Sequence, residues 1–232
     1  MERLNGALDW DIFRPDLERI DQKVRKSAAG CKPTCRVLIF KLLILQRLYG
    51  LSDERLEYQV RDCLSFMRFL GLGLDGKIPD ARTVWAFREA LKRHQLAEVL
   101  FERLNQTLAG MGIRMKSGQI IDASWSEARE QRLAEGGHRS QIHERAYRDA
   151  PLSAEQRARN KAKSRVRARV EHVFGQMENG MGGMFLRSVG LARAKVGVAL
   201  MNLAYNLRRV EWLIRSKVFP FTRVTAPVRG AA

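Results

Sequence analysis

Two acidic residues have the spacing and surroundings to take part in metal-dependent chemistry. Asp122 ends the short apolar run "GQIID", and Glu171 follows after 48 intervening residues. Two hard divalent ions held about 3.5–4 Å apart by carboxylates can clamp the attacking and leaving oxygens of a phosphodiester. Bridging both ions takes about three acids, so this pair is an incomplete set. From the residues alone the opposite interpretation is stronger: Asp122 is a turn residue, and Glu171 is a surface acid paired with Arg167 one helical turn earlier.

A basic run before Glu171 poses a choice between strand and helix. Its charges between 157 and 169 fall on every second residue, which is the period of a strand. Apolar residues across the same stretch and beyond it step by four, four, three and four, which is the period of a helix. These apolar residues are Ala162, Val166, Val170, Val173 and Met177. The longer apolar pattern decides for a helix.

This predicted helix has a start signal in the sequence. Ser153 is a suitable N-cap, and Gln156 three residues later completes a capping box. The helix is therefore predicted to begin near Ala154 and to fray within 178–183. Its basic residues are candidate contacts to DNA phosphates: Arg157, Arg159, Lys161, Lys163, Arg165, Arg167 and Arg169.

The charge balance of the chain indicates an anionic partner. The 232 residues include 42 Lys and Arg against 25 Asp and Glu, which gives a formal net charge of +17. This excess points first to nucleic acid and second to an anionic membrane surface. The most apolar stretch, 36–51, is interrupted by Lys41, Gln46 and Arg47 and is too short to span a bilayer. We therefore expect a nucleic-acid partner and no membrane.

The first half of the sequence has the pattern of packed helices. The run 36–49 is apolar on nearly every face, which suits a helix enclosed by others. Ser52 is a suitable N-cap for the next helix, whose apolar stripe continues without a break to Leu70. Further helices are predicted from 81 to 93 and from 97 to 109.

The helix predicted at 81–93 could belong to a helix-turn-helix. A Gly-rich turn at 71–80 precedes it, and its basic residues Arg82 and Arg88 are candidate contacts to DNA. A plain helical bundle with a solvated charged face explains the same spacing and is the stronger interpretation from spacing alone.

The second half adds two short stretches with strand character, at 118–124 and 140–146. Between them, residues 126–139 have Leu133 as their only large apolar residue, so this segment cannot bury a face. A last long helix fits 191–215, and 217–232 has the character of a loose basic tail with two prolines. The predicted fold class is mainly α with a small β part.

Cysteine usage favours a reducing compartment. The three cysteines, Cys31, Cys35 and Cys63, are an odd number, and the sequence shows no secretory signal. Together with His94 they could hold zinc, but one CxxxC without a second pair is weak support. Ordinary thiols in a cytoplasmic protein are the stronger interpretation.

Three segments together resemble the DDE-type transposases of bacterial insertion sequences, of the kind with short elements in a single reading frame. Residues 42–89, which begin "LLILQRLYGLSDERLEYQ", resemble their N-terminal helical domain. "GQIIDASWSEAREQR" (118–132) looks like the segment that bears their first catalytic Asp. Residues 139–213, which begin "RSQIHERAYRDAPLSAEQ", look like their C-terminal portion with the catalytic Glu.

The resemblance implies a ribonuclease-H-like domain that uses two Asp, one Glu and Mg²⁺ or Mn²⁺ to cut and rejoin DNA. Asp122 matches the first Asp, Glu171 matches the third acid, and Arg167 matches the Arg four residues before that Glu. Where relatives often have a Lys seven residues after the Glu, this chain has Glu178. The implied partners are double-stranded DNA at insertion-sequence ends and a homo-oligomer or a mixed oligomer with full-length transposase, at the nucleoid in the cytoplasm.

The second Asp of the family has no counterpart in this sequence. In the family, several strands and a helix separate the first Asp from the "RSQIH" strand, whereas here "EAREQR" runs straight into "LAEGGHRSQIH". We therefore expect an internally deleted transposase that binds insertion-sequence DNA and is catalytically defective. One alternative is an active strand transferase that recruits Asp149, Glu144 or an acid of another subunit. Another is an inhibitor of a full-length transposase.

The predicted domains follow from this interpretation. Residues 1–112 are expected to form a helical N-terminal DNA-binding domain, and 113–216 a truncated ribonuclease-H-like α/β domain. Residues 217–232 are expected to be the tail.

Overall fold

The computed structural model describes residues 2–21, 34–113, 143–146, 151–183 and 185–217, together with residues 131, 135 and 137. Within these residues all regular secondary structure is helical. In chain order the α-helices are α1 (Glu2–Ala7), α2 (Arg14–Leu17), α3 (Arg36–Tyr49), α4 (Asp53–Asp62), α5 (Leu64–Leu70), α6 (Ala81–Arg93), α7 (Leu96–Gly110), α8 (Ala154–Gly180) and α9 (Leu191–Arg215). Two 3-10 segments, Trp10–Phe13 and Glu18–Asp21, flank α2. In the part of the chain so described, no helix is long and apolar enough to cross a membrane.

The chain divides into two compact units. The first combines Met1–Met115 with Gly180–Ala232, and the second is Lys116–Asn179. These borders differ from the predicted domains, because the C-terminal helix α9 packs on α3 and α7 and so shares a unit with the N-terminal helices. Burial of apolar side chains of α9 against α3 and α7 accounts for this division.

Helix α3 is the centre of the first unit, as its apolar sequence predicts. Nine of its 14 residues are buried, among them Phe40 and Leu43 with no exposed surface. Complete burial of such a side chain stabilises the fold by about 1.5–3 kcal/mol relative to leaving it in water. The predicted helix at 191–215 is confirmed, and its apolar side is buried at Val196, Leu200, Leu203, Leu207 and Val210.

The prediction of one unbroken helix from Ser52 to Leu70 is wrong. Ser52 does cap the N-terminus, and its Oγ accepts a hydrogen bond from the backbone N–H of Arg55 at 3.1 Å. The helix then stops at Cys63, whose φ of −116° and ψ of 103° are extended, and a new helix starts at the next residue. A continuous helix would leave Phe69 outside its buried stripe, whereas the break turns this side chain fully into the core.

An aromatic cluster joins the N-terminal segment to α3 and α5. The centre of the Trp10 ring lies 5.3 Å from the centre of the Phe69 ring and 6.3 Å from that of the Phe40 ring. The Lys41 ammonium lies 5.2 Å from the Trp10 ring centre and donates hydrogen bonds to Asn5 Oδ1 at 2.8 Å and to the Phe69 carbonyl at 3.0 Å. Burial lowers the pKa of Lys41. Lys41, one of the two cations that interrupt the apolar run 36–51, thus has hydrogen-bond partners inside the unit.

Two glycines allow the backbone after α3 and the backbone before α9 to meet. Gly50 ends α3 in the left-handed conformation at φ 60°, and Gly182 has φ 72°. A Cβ atom on Gly182 would lie 2.9 Å from the Gly50 Cα, closer than real Cβ contacts. A side chain at either position is therefore excluded without backbone movement.

The start of α8 follows its predicted signal. The Oγ of Ser153 accepts from the backbone N–H of Gln156 at 3.2 Å, and the Gln156 Oε1 accepts from the Ser153 N–H at 2.8 Å. This is the reciprocal bonding of a capping box, and α8 begins at Ala154 as predicted.

The predicted strand at 140–146 is described only at 143–146, and these four residues are not in a strand. The backbone N–H of Glu144 donates to Asn160 Oδ1, and the Glu144 carbonyl accepts from Asn160 Nδ2, both at 2.9 Å. One amide side chain on α8 thus satisfies both backbone groups that a neighbouring strand would have taken. The other predicted strand, 118–124, lies outside the described residues.

Candidate nucleic-acid interface

The basic run of α8 separates into two rows on the helix surface. Residues four apart lie on one face, so a charge at every second position alternates between faces. Arg157, Lys161 and Arg165 form one row, here named the exposed stripe, and all three are exposed. Arg159 and Lys163 form the other row, here named the paired stripe. The side chains of the predicted contacts Arg167 and Arg169 lie outside the described residues.

The paired stripe is held by an acid of the segment 143–146. Glu144 accepts from Arg159 Nε at 2.8 Å and from Arg159 Nη2 at 3.1 Å, and Lys163 Nζ lies 4.0 Å from its Oε1. The Arg159 guanidinium holds the pKa of Glu144 below its ordinary value. His143 Nε2 lies 3.1 Å from the Ser164 hydroxyl on the same helix. The face of α8 that carries the paired stripe is therefore covered by residues 143 and 144.

The exposed stripe is a regularly spaced row of three cations on one helix face. Successive members lie about 6 Å apart along the helix, so three cations extend over about 12 Å. None of the three forms an ion pair with another residue that the structure describes. Cations that are solvated and not already neutralised release DNA counterions when they reach phosphates.

Of the predicted metal ligands, the structure describes Glu171. This residue is exposed on α8 and lies on the same face as Asn160, about three turns further along. The backbone of Glu144 is hydrogen-bonded to the Asn160 side chain. Its position is therefore on the order of 16 Å from that of Glu171, measured along the axis of α8. That separation exceeds the reach of two carboxylates on one pair of metal ions. Asp122 and the proposed substitute Asp149 lie outside the described residues.

The described residues do not by themselves build a site for a divalent ion. Across the described ranges, no group of three or more His, Cys, Asp or Glu side chains could hold a metal. Cys35 and Cys63 are free thiols. The Cys63 Sγ lies 3.1 Å from the Ser65 Oγ, and this hydrogen bond lowers the pKa of the Cys63 thiol.

The two predicted contacts on α6 lie on different faces. Arg82 is exposed in the first turn of the helix, which begins after the N-cap Asp80. Arg88 points inward and donates to Asp53 Oδ2 at 2.5 Å and to Gln46 Oε1 at 3.1 Å. Arg82 is thus open to solvent, whereas Arg88 links α6 to α3 and α4.

Two cations absent from the predicted site residues, Arg47 and Arg187, line a cleft in the first unit. Arg47 of α3 and Arg187 line a cavity of about 40 Å³ together with Arg88. The sequence carried one signal for it: Arg47 interrupts an otherwise apolar run that packs in the core. Nothing in the spacing places Arg187 beside it, because the two residues are far apart in the chain.

Family comparison decides the class of protein. Residues 69–207 match the family model described as "Transposase DDE domain". The chain belongs to the DDE transposase family. Residues 1–90 of this transposase also match a model described as "Transposase domain (DUF772)", so the two matches overlap between 69 and 90. No solved structure matches the chain.

Membership of the family implies a reaction, a fold and a kind of cofactor for this transposase. The family acts in DNA transposition, its DDE domain implies a ribonuclease-H-like fold, and its members generally use divalent metal ions. The resemblance seen in the sequence is confirmed at the level of the family. The mainly helical part of the fold prediction is confirmed in the described residues.

Proposed function

We propose that this DDE transposase binds insertion-sequence DNA and that its own catalytic centre is incomplete. The observation that carries the binding proposal is the exposed stripe, three cations on one face of α8 without acidic partners among the described residues. The net charge of +17 supports the same conclusion, because it draws the whole chain to a polyanion.

The two predicted groups of contacts have different tasks in this proposal. Cations of the exposed stripe bind phosphates, which fix position on the duplex without reading sequence. Preference for element ends requires contacts to base edges, and Arg82 in the first turn of α6 is the candidate for them, because Arg pairs in bidentate fashion with guanine in the major groove.

The incompleteness of the catalytic centre rests on the sequence and on the position of Glu144. Only 48 residues lie between Asp122 and Glu171, and the segment that bears the second Asp in the family has no counterpart there. Glu144, one substitute for that Asp, is bound in bidentate fashion by Arg159. In this proposal Asp122 and Glu171 are two ligands where the reaction needs about three.

Salt-dependent DNA binding tests the first half of the proposal with a matched pair of variants. Lys161→Ala/Arg165→Ala removes two cations of the exposed stripe, and Arg159→Ala/Lys163→Ala removes two of the paired stripe. Fluorescence anisotropy with labelled duplex, over a series of salt concentrations, gives the slope of log affinity against log salt. The first variant should lose about 1.8 of the slope, since each phosphate contact contributes about 0.9.

The matched variant has the same net charge and should keep the slope of the parent chain. Equal slopes in all three proteins would show that the exposed stripe does not contact phosphates. Circular dichroism of the three proteins checks that α8 remains helical. Comparison of an element end with a scrambled duplex, for the parent chain and Arg82→Ala, tests the base contact.

A cleavage assay tests the second half. End-bearing DNA is incubated with Mg²⁺ or Mn²⁺ and either the parent chain or Asp122→Ala, and nicked products are counted. The proposal expects the same background from both proteins. Metal-dependent nicking that disappears in Asp122→Ala would instead establish an active strand transferase with a substitute acid.

A further inference from the structure

We propose that the cleft around Arg47 and Arg187 in the first unit is a binding site for a phosphate group. It is lined by side chains of α3, α4, α6 and the segment before α9, including Gln46, Arg47, Ser52, Arg88, Arg187 and Ser188. Its volume of about 40 Å³ matches a few water-sized oxygens, because a buried water needs on the order of 10–15 Å³ by the same measure. The space therefore suits an oxyanion group and is too small for a whole nucleotide.

Arg47 is the buried cation of the cleft. Its Nε is inaccessible to solvent and has no hydrogen-bond partner, and none of its atoms forms an ion pair within the described ranges. Burial, followed by the charge of Arg88, lowers the pKa of Arg47 to about 10, against the opposing effect of Asp53. A buried guanidinium without a carboxylate partner is costly, and an oxyanion in the cleft would supply the missing opposite charge.

One carboxylate, that of Asp53, lines the cleft and is already engaged. Asp53 accepts from Arg88 Nη2 at 2.5 Å on one oxygen and from Gln46 Nε2 at 2.6 Å on the other. Asp53 therefore neutralises Arg88 and leaves Arg47 and Arg187 as the cations of the cleft without a carboxylate partner among the described residues.

Arg187 supplies the second arm of the site. Its Nη1 donates to the Gly50 carbonyl at 3.0 Å, and its guanidinium lies 5.6 Å from the centre of the Phe185 ring. These contacts orient the side chain, which is exposed, while leaving further N–H donors of the planar fork available. A guanidinium fork of this kind matches the geometry of phosphate oxygens.

A larger cavity adjoins the cleft and gives a phosphate room to be part of a longer molecule. It measures about 330 Å³ and shares Asp53, Arg88, Arg187 and Ser188 with the cleft. Its other charged lining residues are Arg193, Lys92 and Glu89, and Glu89 accepts hydrogen bonds from both cations. The adjoining wall thus carries one further net positive charge and does not repel a phosphate in the cleft.

The same chemistry fits a phosphate of a DNA strand and free inorganic phosphate. A DNA phosphate at this site rests on the proposed function, whereas free phosphate does not. Two measurements separate the sources, and each uses the full chain with Arg187→Gln and the control Arg68→Gln. Arg68 belongs to the same unit and pairs with Glu2 on the surface, where 67% of its side chain is exposed.

The first measurement is the melting temperature in inorganic phosphate against chloride at equal ionic strength. A ligand that binds only the folded state raises the melting temperature in proportion to its saturation of the site. The parent chain and Arg68→Gln should show a phosphate-specific rise. Arg187→Gln should need about tenfold more phosphate for the same rise, the factor expected for the loss of a charge-assisted hydrogen bond. Arg47→Gln should behave in the same way, and Arg187→Gln decides the question if Arg47→Gln does not fold.

The second measurement is the salt slope of DNA binding. If a DNA phosphate occupies the cleft, Arg187→Gln should lower the slope by about 0.9, and Arg68→Gln should not. A phosphate-specific rise in melting temperature without this change in slope assigns the site to free phosphate. A parent chain with no phosphate-specific rise, or an Arg187→Gln protein that responds as the parent does, overturns the site. Absence of any DNA binding by the parent chain would refute the proposed function and leave the first measurement valid.

Discussion

The hydrogen-bonded group of Arg88, Asp53 and Gln46 should contribute measurably to the stability of the first unit. Arg88→Met removes the guanidinium and keeps an aliphatic stem of similar length, so that packing is largely retained. Asp53→Asn removes the carboxylate charge and keeps one oxygen acceptor. The two single variants and the double variant form a thermodynamic cycle that isolates the interaction between Arg88 and Asp53.

The magnitude follows from exposure. The side chains of Arg88 and Asp53 are 19% and 20% exposed, so the pair is neither on the surface nor fully buried. Removal of one partner of a buried pair costs about 3–5 kcal/mol, whereas an exposed pair contributes about 0–1 kcal/mol. For the intermediate case we expect Arg88→Met to lower the free energy of unfolding by about 2 kcal/mol, with a coupling energy of about 1–1.5 kcal/mol.

Urea unfolding followed by tryptophan fluorescence measures these values, since Trp10 is buried in the core of the same unit. Arg68→Met is the matched control, because its pair with Glu2 is 67% and 69% exposed and should contribute less than about 0.5 kcal/mol. A coupling energy within about 0.3 kcal/mol of zero, or equal losses in Arg88→Met and Arg68→Met, would refute the assignment of this group as a link between helices.

Three further predictions concern local structure and pH. Gly182→Ala should destabilise the first unit by clearly more than Gly71→Ala. Both glycines have left-handed backbones, at φ 72° and 74°, but of the two only Gly182 would place a Cβ within 3 Å of other backbone atoms. Equal melting temperatures of the two variants would contradict this. Ser153→Ala should cost the first turn of α8 about 1 kcal/mol, visible as faster amide hydrogen exchange there and not in the rest of the helix. Arg193 and then Lys92 hold the pKa of Glu89 at about 2, against an ordinary 4.5, so this carboxylate stabilises the fold above pH 4.5 and loses that contribution as the pH falls toward 2. Arg193→Gln should therefore reduce the acid-induced loss of unfolding free energy by up to about 1 kcal/mol, and an identical loss in both proteins would count against the pair.

Local signals in the sequence were sufficient for several elements. The capping box at Ser153 placed the start of α8 because both hydrogen bonds join residues three apart. The apolar periodicity of 191–215 predicted α9 and its buried side, because a helix that covers a core must present one continuous stripe.

Features that depend on distant residues were not predictable. The break at Cys63 follows from the burial of Phe69 against Trp10, and a helical pattern that continues through Cys63 does not reveal it. The inward orientation of Arg88 depends on Asp53 and Gln46 from other helices.

The candidate sites likewise divide into those that local sequence signals revealed and those that depend on residues far apart in the chain. The family was evident from long segments of sequence, and the family models confirm it. The cleft of Arg47 and Arg187 was missed because residues 137 or more positions apart, such as Gly50 and Arg187, meet only in the folded unit. The predicted metal ligand Asp122 and its proposed companion Asp149 lie outside the described residues, so both stay predictions.

The first unit is assembled from both ends of the chain, with the second unit interposed between residues 115 and 180. A ribosome must therefore synthesise the whole second unit before α9 can pack on α3 and α7 and complete the first unit. The same arrangement makes the interposed stretch the natural place for evolution to lengthen or shorten this protein. We expect loss of residues there to alter the second unit and to leave the packing of α9 on α3 and α7 in place.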